Sequence, residues 1–198
     1  MTPAASKTHL LLENVTWADY QTLLKGFGDR PQLRSCYLEG TLEIMAASPE
    51  HEAIKKNIAR LIELYALEKD IRLFSCGSTT VRREAKSRGV EPDESYCIDS
   101  RKAIPDLAIE VLITNDGIDK LEIYKGLNVR EVWVWKNKGF SLYRMRVFTE
   151  GYEVIRRSTL FPDLDPNTLA KYVNPEREPQ MLQAFRQEIC REAADNLE

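Results

Sequence analysis

The apolar positions of the chain follow two spacings, one typical of helices and one typical of strands. The clearest helix covers residues 49–69, where apolar side chains recur on one face: Ile54, Ile58, Leu61, Ile62 and Tyr65. Ser48 is a suitable N-cap for this helix, and Pro49 suits its first turn. We therefore predict a long amphipathic helix that packs on one face of a sheet.

Shorter alternating segments predict the strands. Two pairs form hairpins, "CYLEGTLEIMA" with its turn near Glu39-Gly40 and "REVWVWKNKGFSLYRM" with its turn over 137–139. Further extended segments lie at about 71–84, 89–98 and 106–113, and "GYEVI" adds another strand. Short helices are predicted after a capping box at Thr16 and Asp19, over about 117–127, and from Asp165-Pro166 onward.

Composition excludes several classes of protein. No apolar run approaches the length that a membrane span needs, so no membrane association is expected. The four cysteines are dispersed without a C-x-x-C pair, which favours reduced thiols and a cytoplasmic location. Two histidines cannot build a multi-histidine zinc site, and the chain has no G-x-S-x-G or P-loop pattern.

The formal net charge of −3 gives no general affinity for nucleic acid, which usually binds to a basic surface. Two local clusters oppose this average, one over 55–60 (Lys55, Lys56 and Arg60) and one over 82–88 (Arg82, Arg83, Lys86 and Arg88). Each cluster is either a solvated face or part of a nucleic-acid-binding surface.

Two Pro-Asp pairs in "GVEPDESYCIDSRKAIPDLAIEVLI" raise the question of a metal site. If "IPDLAIEVLI" is a strand, Asp106 and Glu110 are about 13 Å apart and cannot easily share one ion. Asp106 therefore has the position of a residue that begins a strand, behind a proline that is tolerated there.

The first pair offers a better partner for Glu110. If "VEPDESYCI" and "IPDLAIEVLI" are antiparallel neighbours related symmetrically about Arg101 and Lys102, Asp93 lies opposite Glu110. Opposed residues point to one face with Cβ atoms about 4.5–5.5 Å apart, a distance at which two carboxylates repel unless a cation lies between them. A slip of one residue would turn Glu110 to the other face.

In combination, these segments resemble the PD-(D/E)xK nuclease superfamily and, more narrowly, the Uma-type restriction endonuclease family. Asp93 and Glu110 match the two acidic positions of the superfamily. The narrower resemblance is carried by the order of six segments over roughly 15–173: "YLEGTLEIM", "SPEHEAI", "GSTTVRREAKSRGVEPDESYCI", "PDLAIEVL", "GIDKLEIYKGLNVREVWVW" and "LFPDLDPNTLAKYV".

This resemblance implies an α/β, restriction-endonuclease-like fold with a mixed central sheet flanked by helices. The nuclease-like domain would cover 15–173, with a disordered or loosely packed segment at 1–14. An appended C-terminal helix over 174–198 carries Leu182, Phe185 and Ile189 at helical spacing, and we expect it to pack on the domain or on a partner subunit.

The resemblance also implies a set of site residues. Asp93 and Glu110 would hold Mg²⁺, with Mn²⁺ as a substitute, and the carbonyl of Val111 or Ile109 would add an oxygen ligand. The E-x-K lysine is missing, because Leu112 occupies its position; the family places this lysine on the following helix, which is Lys120 here. Lys120 is otherwise a solvated lysine near Glu122, and Lys125 is a weaker substitute on another helical face.

His51 is the fourth candidate catalytic residue, since "SPEHE" matches a family position near the mouth of the site. It shares the core-facing stripe of its helix, so it is either a buried, hydrogen-bonded imidazole or a residue that orients a carboxylate or binds phosphate.

The predicted function is Mg²⁺-dependent hydrolysis of DNA phosphodiester bonds, by a homodimer that acts on two strands. The displaced lysine and the net acidity favour an alternative, a catalytically degenerate nuclease fold that acts as a binding or assembly protein. A third hypothesis is a hydrolase of small phosphoesters. No residue set indicates base recognition, and the sequence does not separate DNA from RNA.

Overall fold

The computed structural model describes residues 9–28, 33–113, 118–146 and 151–195, and shows a mixed α/β protein with two sheets and five helices in these ranges. The α/β class and the predicted central mixed sheet are confirmed. The second sheet is an addition that the sequence pattern did not predict.

The six-stranded sheet carries the candidate site. It consists of β4 (Leu73–Ser75), β7 (Glu94–Ile98), β8 (Leu107–Val111), β9 (Glu131–Lys136), β10 (Gly139–Met145) and β11 (Tyr152–Ile155), in the order β11-β10-β9-β8-β7-β4. The central pair β8 and β9 is parallel, and the other neighbours are antiparallel. The hairpin of β9 and β10 turns at Asn137 and Lys138, both with positive φ, as the sequence predicts for this segment.

The register of β7 and β8 decides which acidic residues meet. Glu94 pairs with Ile109, Ser95 with Ala108 and Tyr96 with Leu107. This is the symmetric register expected from the sequence, and its continuation places Asp93 beside Glu110.

The second sheet is antiparallel throughout. It consists of β1 (His9–Leu12), β2 (Leu33–Leu38), β3 (Thr41–Ala46), β5 (Val81–Arg83) and β6 (Arg88–Val90), in the order β1-β3-β2-β6-β5. β2 and β3 are the predicted hairpin with its turn at Glu39 and Gly40. Within the segment 1–14, residues 9–12 form β1 and pair with β3, which the sequence pattern did not indicate.

The helices begin where the sequence supplies caps. They are α1 (Trp17–Phe27), α2 (Pro49–Glu68), α3 (Lys120–Leu127), α4 (Pro166–Tyr172) and α5 (Glu178–Asp195), with 3-10 turns at Glu84–Lys86 and Pro175–Arg177. Thr16 and Asp19 form the predicted capping box, and the Ser48 hydroxyl accepts a hydrogen bond from the His51 amide. Asp119 and Asp165 cap α3 and α4. None of the described helices has the length and apolar character needed to cross a membrane.

The helices α2 and α3 cover opposite faces of the six-stranded sheet. Alternate residues of β8 point to opposite faces, so Ile109 packs in one core with α2, while Ala108 packs in another with α3. The second core also contains Cys36, Val81 and Val90 of the five-stranded sheet, so α3 lies between the two sheets. Helix α5 packs along α2, with an ion pair between Arg60 and Glu178 at 2.8 Å.

Candidate active site

Glu110 is the centre of the candidate site. It lies on β8 on the face that α3 covers, and the residue is 1% exposed. Its two carboxylate oxygens accept hydrogen bonds from different side chains of α3: Oε2 from Lys120 Nζ at 2.6 Å and Oε1 from the Tyr124 hydroxyl. Both oxygens of this buried carboxylate, which lies within the sheet, are thus hydrogen-bonded to side chains of one helix.

Lys120 reaches Glu110 because it is the first residue of α3. The Asp119 carboxylate caps this helix by accepting a hydrogen bond from the Leu121 amide at 3.0 Å, which fixes where the helix begins. Lys120 and Tyr124 are four residues apart and therefore share a helical face. The Lys120 side chain is 16% exposed, so it is an ion-paired interior lysine and not the solvated lysine beside Glu122.

Asp93 is held beside this pair by two donors. Its Oδ2 accepts a hydrogen bond from the Val111 amide at 2.8 Å and lies 3.1 Å from His51 Nε2. The residue is 3% exposed and directly precedes β7. The bond to Val111 ties Asp93 to the residue next to Glu110, so both carboxylates belong to one constellation.

The pKa values of the two carboxylates are shifted in opposite directions. Burial and the nearby Asp93 charge together raise the pKa of Glu110 to about 7, against the opposing effect of Lys120. Burial also acts to raise the pKa of Asp93, but the His51 hydrogen bond and the Lys120 charge outweigh it and lower that pKa to about 2. Burial acts to lower the pKa of Lys120, whereas Glu110 and Asp93 raise it above its ordinary value, so the ammonium stays charged.

His51 lies at the start of α2 and connects Asp93 to the surface. Its Nδ1 lies 3.4 Å from Glu52 Oε1, on the side opposite to Asp93. Burial acts to lower the pKa of His51, but the hydrogen bond and charge of Asp93 raise it. The structure therefore places His51 beside Asp93, a contact that fits both a hydrogen-bonded structural imidazole and a residue that orients a carboxylate.

Two further residues of this region escaped the sequence analysis. Tyr124 hydrogen-bonds to Glu110, and its four-residue spacing from Lys120 was the available signal. Glu43, on β3, is 1% exposed and accepts hydrogen bonds from Cys36 Sγ at 3.0 Å and from the Ile118 amide at 3.2 Å. Its signal was the acidic position within "YLEGTLEIM", a segment that matched the family but was not assigned a role.

The residues set aside on sequence grounds have structural partners. Asp106 accepts hydrogen bonds from the Ile98 amide at 2.8 Å and from Lys102 Nζ at 2.6 Å, which fits its predicted place at the start of a strand. Lys125 bonds to both carboxylate oxygens of Glu122 on the same helix.

The donor set fits a hard divalent cation in part. Among the described residues, no group of three or more His, Cys, Asp and Glu side chains is arranged to hold a metal ion. Two buried carboxylates, one directly before β7 and one on the adjacent β8, do match the sites in which one or two carboxylates hold Mg²⁺ together with water and phosphate oxygens. The Val111 amide donates a hydrogen bond to Asp93. The backbone carbonyl of Val111 stays a predicted metal ligand.

Comparison with known proteins finds one family that accounts for most of the chain. The Uma2 family, described as "Putative restriction endonuclease", matches residues 17–170. No curated protein matches the chain. The matched range contains every candidate site residue, from His51 through Lys120 and Tyr124.

Proposed function

Because the chain belongs to the Uma2 family, whose restriction-endonuclease-like fold and description support a nuclease-like function, we propose that this protein is a divalent-metal-dependent endonuclease that hydrolyses DNA. The proposal names Asp93 and Glu110 as the metal-holding carboxylates and Lys120 as the catalytic cation. Mg²⁺ is the proposed ion, with Mn²⁺ as a substitute.

One observation supports this proposal above the others. The lysine that is missing from the strand is replaced by an ammonium group that reaches the same carboxylate from α3, at 2.6 Å. A solvated lysine in this position would have no reason to enter a largely buried pocket beside two carboxylates. This contact supports the assignment of Lys120 as the displaced lysine of the family pattern.

Each side chain has a specific role in the proposed reaction. Asp93 and Glu110 would hold the cation, which when bound would supply polarisation of the scissile phosphate and a water molecule of lowered pKa. Lys120 stabilises negative charge that develops on the phosphate oxygens and orients the attacking water. His51 acts as a positioning residue, because its Nε2 lies 3.1 Å from Asp93 Oδ2. Tyr124 holds the second oxygen of Glu110.

The test is cleavage of a supercoiled plasmid with Mg²⁺, with Mn²⁺ and with a chelator. We expect nicked or linear products only with metal, and a loss of at least about 100-fold in Asp93→Ala and in Lys120→Ala. Lys125→Ala is the matched control, because it removes a lysine from the same helix whose partner is Glu122. Circular dichroism at the assay temperature verifies that each variant is folded. Cleavage that is unchanged in both active-site variants ends the proposal.

A second candidate, a degenerate nuclease fold that serves as a binding or assembly protein, is favoured by the saturation of Glu110. Both of its oxygens already accept hydrogen bonds from protein side chains, so this carboxylate has partners without a metal ion. Thermal melts with and without Mg²⁺ or Mn²⁺ separate the two candidates, since a ligand that binds the native state raises its stability. A metal-induced rise in melting temperature that disappears in Glu110→Ala excludes the degenerate site.

Two finer features of the proposal need their own measurements. Sedimentation equilibrium tests the homodimer, which would present two sites to the two strands of a duplex. Parallel assays with RNA and with a small model phosphodiester test the substrate class. Hydrolysis of the model diester without cleavage of DNA would support the small-phosphoester hydrolase instead.

A further inference from the structure

A cavity of about 860 Å³ opens beside the candidate active site. The end of α1, the hairpin of β2 and β3, the start of α2 and the segment 78–82 form its walls. This volume is in the range of sites that bind small molecules and cofactors. None of the proposed metal and catalytic residues lines it, so the cavity is a separate feature next to that site.

A chain of polar contacts connects the cavity to the active site. Arg34 Nη2 lies 3.5 Å from Glu52 Oε1, and the same oxygen lies 3.4 Å from His51 Nδ1. His51 Nε2 then lies 3.1 Å from Asp93 Oδ2. Arg34 and Glu52 both line the cavity, so a ligand there would be two side chains away from a metal-holding carboxylate.

The charge of the lining favours an anion. Four basic residues line the cavity, against two acidic residues among the described lining: Lys25, Arg34, Lys55 and Arg82, and Glu52 and Glu91. The Glu91 carboxylate accepts hydrogen bonds from the Ser35 amide and from the Thr80 hydroxyl, at 3.2 and 3.1 Å. Glu52 is shared between Arg34 and Lys55. Arg82 is exposed and has no ion-pair partner in the described part of the chain, so its charge is available to a ligand.

Arg34 provides a second indication of a ligand. Its side chain is 11% exposed, and its buried Nε has no hydrogen-bond partner among the described residues. Buried guanidinium groups are normally fully hydrogen-bonded, because an unpaired donor carries a desolvation penalty. An acceptor oxygen bound in the cavity would satisfy this donor.

The apolar part of the cavity lining is suited to a base. Leu24 and Phe27 project from the last turns of α1, and Leu33 and Ile44 extend the apolar surface. Phe27 is half-buried, so one part of its ring faces the cavity. Aromatic side chains at the end of a basic groove are a common platform on which an unpaired base stacks.

We propose that this cavity binds one unpaired nucleotide of the nucleic-acid substrate, next to the bond that is cut. This inference rests on the proposed nuclease function and adds a substrate class, a strand with an unpaired nucleotide. The phosphate lies toward Arg34, Lys55 and Arg82, and the base lies against Phe27. The cavity accordingly favours single strands and overhangs over blunt duplexes.

The test is fluorescence anisotropy with the full chain in a chelator, so that binding is measured without cleavage. The probes are a labelled twelve-nucleotide oligo(dT) and a blunt duplex of the same length, with dTMP as competitor. Arg82→Ala and Phe27→Ala should each weaken oligo(dT) binding about tenfold. For Arg82→Ala, the slope of the logarithm of the oligo(dT) association constant against the logarithm of salt concentration should be shallower by about 0.7 than in the wild type. This is the value for one lost phosphate contact on a single strand.

Lys86→Ala is the matched control, because it removes an equally exposed positive charge four residues from Arg82 and outside the cavity lining. It should bind oligo(dT) as the wild-type protein does. Equal binding by the Arg82, Phe27 and Lys86 variants, a preference for the blunt duplex, or binding of dTMP as tight as that of oligo(dT) would each overturn the inference.

The outcome is distinguishable from that of the proposed function. If the protein cuts plasmid DNA but the cavity variants bind like the wild type, the cavity is not the nucleotide site and the nuclease proposal stands. If oligo(dT) binding depends on Arg82 and Phe27 while no DNA is cut, the cavity assignment stands and the nuclease proposal fails.

Discussion

Replacing Lys120 by methionine should destabilise the protein strongly at pH 8, because it leaves the Glu110 carboxylate buried without its cation. The methionine retains most of the side-chain volume, so the change isolates the charge. Glu110 is 1% exposed, and the ammonium lies 2.6 Å from its Oε2. Breaking a buried ion pair by removing one partner costs about 3–5 kcal/mol, a large fraction of the roughly 5–15 kcal/mol that stabilises an ordinary domain.

The pH dependence of this loss follows from Glu110. Burial already raises the pKa of Glu110 to about 7, and removal of the Lys120 charge raises it further. At pH 5.5 the carboxyl group of the variant is therefore protonated, and the neutral acid is less costly to bury than the carboxylate. We expect the destabilisation to be clearly smaller at pH 5.5 than at pH 8.

Urea unfolding followed by tryptophan fluorescence measures both values, since Trp133 and Trp135 are buried in the six-stranded sheet. A double-mutant cycle with Glu110→Gln isolates the pair, and we expect a coupling energy of about 2–3 kcal/mol, within the range for residues in direct contact. Lys125→Met is the control and should cost less than about 0.5 kcal/mol. A loss below about 1 kcal/mol at pH 8, or effects that simply add in the double variant, would refute the buried pair.

Two further predictions concern stability in a chelator. Burial raises the pKa of Glu110 from 4.5 to about 7, so as pH rises the unfolded state releases this proton before the folded state does. The free energy of unfolding should therefore fall by up to about 3 kcal/mol between pH 4.5 and pH 7. The Glu110→Gln variant should show a smaller fall, because it lacks the titrating group. A flat or rising profile in the wild type would contradict this. Glu131→Ala should cost about 3–5 kcal/mol in urea unfolding, because the buried carboxylate accepts hydrogen bonds from Trp133, Ser158 and Thr159 that would lose their acceptor. Exposed Glu84→Ala is its control, and equal effects of the two changes would exclude this role.

The parts of the fold that could be predicted from the sequence depend on local signals. The capping side chains of Thr16 and Ser48 mark where α1 and α2 begin, and the apolar stripe of α2 has a clear helical period. The register of β7 and β8 was predictable because the connection between them is short and approximately symmetric. Asp93 and Glu110 were brought together by that register alone.

The parts that could not be predicted depend on contacts between distant segments. β5 and β6 have three residues each, too few to show a period, and β6 pairs with β2 across about fifty intervening residues. Nothing in a single sequence indicates that pairing. Glu43 joins the site only because α3 lies between the two sheets, whereas Tyr124 follows from its four-residue spacing once Lys120 is assigned to the site.

The five-stranded sheet explains how a lysine on a helix can replace one on a strand. A lysine two residues beyond Glu110 would be held by the backbone of β8, whereas the position of Lys120 depends on how α3 is anchored. On the side of the five-stranded sheet, Glu43 of β3 accepts a hydrogen bond from the Ile118 amide just before α3.

Arg88 of β6 donates to the carbonyl of Glu122 in the first turn of α3, and Arg83 of β5 donates to the carbonyl of Gly126 near the end of this helix, both at 3.3 Å. A Cβ on Gly126 would lie 2.7 Å from the Arg88 side chain, so the helix and this sheet are in close contact. The second sheet therefore anchors α3 at both ends and holds the ammonium of Lys120 against Glu110. Under the proposed function, Lys120 takes the place of a lysine on β8, and the contacts between the second sheet and α3 set its position.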